Sequence, residues 1–251
     1  SDLSSGLDGP LRLWKLDQEN LPGPGVAPTY TDKGGRLVHT MEGHRGAIRA
    51  VSFARSNGMI AAGCDDHHAY LWDAASGELK HILSGHRGMV RSIAFCDDDD
   101  TLITGSYDQT LRVWSAATGQ LLRVLPDTDG TSEYAMSLSP DGTLLAHTTV
   151  DHAVNLIDMQ SWQDVERLSL GHKQAMAVAF STKTNLLACG AQEGSIWIWD
   201  VRPLASGGRA RLRCKLLPTG QRIMRLLFSP DDRWLAGYDE DDKVHIIDLD
   251  L

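Results

Sequence analysis

The sequence contains no CxxC pair: Cys64, Cys96, Cys189 and Cys214 are scattered through 251 residues. That spacing excludes a zinc knuckle and a dithiol redox motif, and a chain of this length needs no disulfide staple to hold a core. Reduced thiols and a cytoplasmic location are expected. No run approaches the roughly 20 consecutive apolar residues of a membrane span, and residues 1–20 carry no signal-peptide core. Positive charge is in short supply, with 24 Lys and Arg against 33 Asp and Glu and a formal net charge of −9. Neither nucleic acid nor an anionic membrane is expected as a partner, because phosphate binding needs a net basic footprint. A glycine-rich phosphate loop and a GxSxG nucleophile elbow are both missing, and no cofactor or metal is implied.

What is present is a repeat, the signature of a stacked architecture. Six segments align: 3–14, 61–72, 103–114, 146–157, 188–199 and 236–247. They end in Trp14, Trp72, Trp114, Ile157, Trp199 and Ile247, and each has an acidic residue six positions earlier: Asp8, Asp66, Asp108, Asp151, Glu193 and Asp241. Gly-His dipeptides stand upstream of three of them, at Gly43-His44, Gly85-His86 and Gly171-His172. Over residues 85–126 the apolar runs VRSIAF, TLITGS, TLRVWS and LLRVLP are separated by turn residues, which reads as four short strands. A lone four-stranded sheet cannot bury both faces, whereas radial stacking of such sheets does.

The Gly-His dipeptides, the turn acid and the Trp-Asp endings at Trp72-Asp73 and Trp199-Asp200 resemble WD40 repeats over essentially the whole chain. The resemblance implies an all-β propeller of four-stranded antiparallel blades. It also implies a buried hydrogen-bond tetrad in each blade, which only the 85–126 unit carries in full, as His86, Thr104, Asp108 and Trp114. Elsewhere the set is broken, with Ala62 at the hydroxyl position of one unit and Cys189 and Glu193 as substitutes in another. The outer units hold three strands each around sixteen central ones. Residues 1–251 are therefore expected to be a propeller segment of a longer chain, short of roughly one further repeat of 40–45 residues and its flanking strands. Residues 17–35, with Pro-Gly-Pro-Gly, read as a flexible inserted loop.

For function, the resemblance points to a non-catalytic scaffold binding a protein or peptide partner on one rim. There the first strands and the turns between second and third strands converge. The rim candidates are Arg49, Asp65, Met89, Arg91, Tyr107, Tyr134, Met176, Arg222, Met224 and Glu240, rich in the Arg, Met and Tyr that favour interfaces. Two alternatives stand beside this reading: a regulatory sensor domain of a larger multidomain signalling protein, and a propeller enzyme with a central-channel site. Thr104, His86 and Asp108 mimic a catalytic triad but fall on the structural tetrad. Asp65-Asp66-His67-His68 has metal-ligand chemistry but falls on a turn, and the acidic clusters 97–100 and 239–242 read as solvated turns. Arg209, Arg211, Arg213 and Lys215 form a basic stripe, read first as protection of a sheet edge.

Overall fold

The computed structural model describes residues 2–4, 9–16, 35–126, 135–149, 151–216 and 220–249. They form six antiparallel sheets in chain order. The first sheet holds β1 (Asp2–Ser4), β2 (Leu11–Leu16) and β3 (Gly35–Met41), and the second β4 (Ile48–Phe53), β5 (Met59–Cys64), β6 (Ala69–Asp73) and β7 (Leu79–Leu83). The third has β8 (Val90–Phe95), β9 (Thr101–Ser106), β10 (Thr110–Ser115) and β11 (Leu121–Pro126). The fourth has β12 (Met136–Leu138), β13 (Leu144–Thr148), β14 (Ala153–Asp158) and β15 (Gln163–Ser169). The fifth has β16 (Ala175–Phe180), β17 (Leu186–Ala191), β18 (Ile196–Asp200) and β19 (Arg211–Leu216), and the sixth β20 (Ile223–Phe228), β21 (Trp234–Asp239) and β22 (Val244–Asp248). Of the expected 17–35 loop, residues 17–34 lie outside the described residues, and Gly35 already belongs to β3. Asp8 and Tyr134 also lie outside them.

Each neighbouring pair of sheets buries its own apolar cluster. Leu11, Leu13 and Met41 meet Ile60 and Trp72 between the first and second sheets. Leu71 and Leu83 meet Phe95 and Trp114 between the second and third. Ile103 and Leu111 meet Leu145 and Ile157, Val154 and Leu156 meet Phe180 and Leu187, and Ile196 and Ile198 meet Ile223 and Phe228. The sheets approach closely: a Cβ on Gly63 would sit 2.7 Å from Val90 Cγ1 of the next sheet, so only glycine fits that crossing. Among the described residues no buried cluster joins the sixth sheet to the first. The sixth sheet accordingly shows Leu227, Val244 and Ile246 at 71%, 63% and 61% exposure. The counterparts of Val244 and Ile246 one sheet earlier, Ile196 and Ile198, are fully buried.

Turn chemistry is repeated too. The residue after each described turn acid is left-handed: His67, Gln109, His152, Gly194 and Asp242, with φ between 61° and 86°. Only one of the five is glycine, and the others accept a strained but accessible conformation. In the fifth sheet, residues 202–206 form a short 3-10 turn leading into β19, whose outer edge carries the basic stripe. Part of that stripe is engaged locally. Arg213 pairs with Asp200 at 3.2 Å, and the Lys215 ammonium lies 4.5 Å from the Trp197 ring centre.

Candidate functional site

The third sheet shows how polar side chains serve architecture. Trp114 Nε1 donates to Thr104 Oγ1 at 2.9 Å, Thr104 Oγ1 lies 2.7 Å from His86 Nε2, and His86 Nδ1 lies 2.9 Å from Asp108 Oδ2. One tautomer satisfies all three contacts: Nδ1–H donates to Asp108, and Nε2 accepts the Thr104 hydroxyl proton. Asp108 also accepts from the Arg87 amide at 2.9 Å and from Thr110 Oγ1 at 2.7 Å. Thr104 is fully buried, so its hydroxyl is committed on both sides and no substrate can reach it. The triad-like trio thus has the wrong surroundings for nucleophilic attack.

Burial holds the His86 imidazole below its ordinary value of 6.5, against the opposing pull of Asp108. Burial also pushes the Asp108 carboxyl up, but the hydrogen bonds from Thr110, the Arg87 amide and His86 together hold it below the usual carboxylate range. For His86 the unfolded chain binds the proton more readily. Its contribution is therefore complete above the ordinary imidazole range and is lost as pH falls through it. The expected result is a melting temperature that drops more steeply from pH 7.5 to 5.5 in the wild type than in His86→Gln. Parallel slopes would show that His86 does not titrate against folding.

Other units solve the same problem differently. In the second sheet Ala62 leaves no hydroxyl, and Trp72 Nε1 turns to the Glu42 carbonyl at 3.1 Å. Tyr70, on the strand that carries Arg112 in the third sheet, takes over the acid: its hydroxyl donates to Asp66 at 2.6 Å, beside the Arg45 amide at 2.8 Å. His44 packs edge-on against Tyr70 and Trp72, and its Nδ1 has no hydrogen-bond partner among the described residues. In the fifth sheet His172 is exposed and does not enter the blade. There Trp197 Nε1 donates to Ser195 Oγ, which donates to Glu193, itself paired with Lys173 at 2.6 Å. In the fourth sheet Asp151 is exposed and pairs with Arg167.

Two expectations about the acids are corrected. In the sixth sheet the buried acid is Asp239 and not Asp241. Asp239 is 1% exposed and accepts from the Asp241 and Lys243 amides at 3.0 Å each, with His245 Nε2 at 2.6 Å. Asp241 is exposed and meets Lys243 Nζ at 3.4 Å. The cluster 97–100 is not wholly solvated either: Asp99 is buried and accepts from the Arg55 and Ser56 amides of the preceding sheet at 2.6 and 2.7 Å. Asp232 makes the equivalent clamp between the fifth and sixth sheets.

The rim candidates converge by main-chain geometry. The amides of Asp65, Tyr107, Gln192 and Glu240 donate to the carbonyls of Ala47, Met89, Gln174 and Arg222 at 2.9 to 3.0 Å. Each turn is thereby tied to the start of its own sheet's first strand. Arg49 makes a two-pronged pair with Asp65, at 2.7 and 2.5 Å, and holds that carboxyl below its usual range. The Arg91 guanidinium lies 5.3 Å from the Tyr107 ring centre, and Arg222 lies 3.8 Å from Glu240. Met89 and Met224 are at least partly exposed, whereas Met176 is buried to 5% and contributes to the channel wall, not the open rim. Behind the rim the strands β4, β8, β12, β16 and β20 enclose a channel of about 780 Å³. The His-rich turn at 65–68 does not gather metal ligands: no group of three or more His, Cys, Asp or Glu fit to hold a metal occurs among the described residues.

Six antiparallel sheets in chain order, five of which wall one channel with their first strands, define a β-propeller. Residues 35–73, 77–115 and 164–200 match the family described as WD domain, G-beta repeat. Each match starts on the outer strand of one sheet and ends on the third strand of the next. The sequence repeat is thus offset from the sheet by one strand, a linkage that ties neighbours together. The WD repeat-containing protein SL1-17 of Schistosoma mansoni is 28% identical over 123 residues, which are 49% of this chain and 38% of that protein. Three matched repeats, this relative and the six-sheet fold support a WD40-repeat β-propeller. Repeats of this family generally mediate protein–protein interaction, and proteins built from them are typically non-enzymatic scaffolds.

Proposed function

We propose that this chain is a non-catalytic interaction module that binds a short segment of a protein partner across the rim at the channel mouth. The observation that carries this reading is the convergence of Arg49–Asp65, Arg91–Tyr107 and Arg222–Glu240 from three sheets at one end of the channel. Rigid strands hold these groups before any partner arrives, so little side-chain freedom is lost on binding. Arginine and tyrosine are also the types that dominate binding energy when buried by a partner. The four free thiols support placing the protein in a reducing compartment, the cytoplasm.

The test is affinity capture with the intact chain, repeated with Arg91→Glu and Arg222→Glu together, followed by identification of the captured protein by mass spectrometry. The expected result is loss of one specific partner with an unchanged melting curve. Equal recovery by wild type and variant would remove the rim from consideration.

A further inference from the structure

The channel wall holds groups that the propeller itself does not use. One residue inward from Arg49, Arg91, Met176 and Met224, the first strands place Ala50, Ser92, Ala177 and Arg225 opposite Gly63, Gly105, Gly190 and Tyr238. Ala135 stands at the same level of the fourth sheet, its carbonyl accepting from the Thr148 amide. Alanine thus suffices at three of five positions, and Ser92 and Arg225 are the departures. Ser92 is 8% exposed, and its Oγ is buried without a hydrogen-bond partner among the described residues. A buried hydroxyl left unpaired is a net loss to folding, so architecture does not explain its presence. Arg225 is exposed and extends across the channel to within 3.5 Å of the Arg49 carbonyl.

Charge sharpens the picture. The charged residues lining the channel are Arg49, Arg91 and Arg225, and no Asp or Glu lines it among the described residues. Asp65 neutralises Arg49, while no described carboxylate lies within ion-pair distance of Arg91 or Arg225. Two guanidinium groups without a direct ion pair and an idle hydroxyl therefore line one cavity in a protein of net charge −9, although the Asp65 carboxylate feels the Arg91 charge. Guanidinium groups in a confined site select carboxylate and phosphate, which accept paired charge-assisted hydrogen bonds.

Resting on the rim reading above, we propose that the partner segment carries an anionic side chain, carboxylate or phosphate, which enters the channel. There Arg91 and Arg225 neutralise it, and the Ser92 hydroxyl, closed to solvent and uncommitted before binding, turns about χ1 to donate to it. The test uses labelled seven-residue peptide pools, random at the flanking positions and fixed at the centre as Glu, phosphoserine, Ala or Lys. Binding is read by fluorescence polarisation on the intact chain. The Glu or the phosphoserine pool should bind about tenfold more tightly than the Ala pool, and whichever leads identifies the source of the anion. Ser92→Ala and Arg225→Gln should each erase most of that gap while leaving the Ala pool unchanged. Ser92→Ala should also melt at or above the wild-type temperature, because it removes a hydroxyl with no partner.

Ala and Lys pools that bind as tightly as the anionic ones, or anionic binding untouched by both variants, would overturn the channel proposal. So would a lowered melting temperature in Ser92→Ala. The rim reading is scored separately by Tyr107→Ala and Arg222→Glu. If these abolish binding of every pool while no anionic preference exists, the rim stands and the channel fails. If they change nothing while the anionic preference persists, the channel stands and the rim fails.

Discussion

Asp108→Ala should lower the melting temperature by about 6–12 °C, and Asp151→Ala by less than about 3 °C. The two acids occupy the same repeat position. Asp108 closes a network that joins His86, Thr104 and Trp114, and removing it leaves the buried imidazole Nδ1 only the longer 3.3 Å contact to Thr110 Oγ1 and strands the Arg87 amide. Breaking one partner out of such a buried set costs about 3 kcal/mol. Asp151 sits in solvent against Arg167, and an exposed pair contributes no more than about 1 kcal/mol. Thermal unfolding of the two variants side by side decides the matter, and equal shifts would mean that the tetrad contributes nothing beyond its turn.

The second large effect is expected at Asp232. Its carboxylate gathers the amides of Thr182, Lys183 and Thr184 at 2.7 to 2.9 Å and the hydroxyls of Thr182 and Thr184 at 2.8 and 2.9 Å. It thereby fastens a turn of the fifth sheet to a turn of the sixth. Burial raises this carboxyl, and the donors outweigh it and hold it below the usual range. Asp232 also stands in the left-handed region at φ 61°. Alanine removes the acceptor and adds a backbone penalty of about 1–2 kcal/mol, whereas glycine removes the acceptor alone. Asp232→Gly should cost about 2–4 kcal/mol and Asp232→Ala more. A glycine variant that melts like the wild type would show that the clamp does not hold the sheets together. Asp99→Gly should move stability in the same direction at the second interface.

Much of this architecture is legible in the residues. Strand count, turn spacing and the three-strand outer sheets follow from short apolar runs and recurrent acids, because a period of two and a tight turn leave little freedom. The polar interior is less legible. Asp241 satisfies the six-residue spacing, but the stretch Asp239-Glu240-Asp241-Asp242 offers several acids. Which one is buried depends on His245 reaching Asp239 from the adjacent strand, a cross-strand fact invisible to linear spacing. Tyr70 likewise lies four residues after Asp66, where the third sheet has Arg112 beside Asp108. Its hydroxyl replaces the donor that His44, packed edge-on against Tyr70 and Trp72, does not supply, a packing fact that linear spacing does not carry. Asp99 and Asp232 lie in turns whose composition signals solvent, and their partners come from a different sheet about 43 to 50 residues away. Met176 shares a position with Arg49 and Arg91, but it is only 5% exposed and lies in the channel wall. The orphaned Ser92 hydroxyl had no sequence signal at all.

That each interface keeps its own cluster has a mechanical consequence. Apolar coupling between the described sheets passes to the nearest neighbour, the exposed Arg225–Arg49 contact across the channel being polar and long, and no described apolar cluster closes the circle from the sixth sheet to the first. Held at its two ends and stretched, the set of described sheets offers no single apolar keystone to resist the load. It should lengthen in a staircase of rupture events, with the last departure from the pair of sheets whose polar clamp and tetrad are both intact.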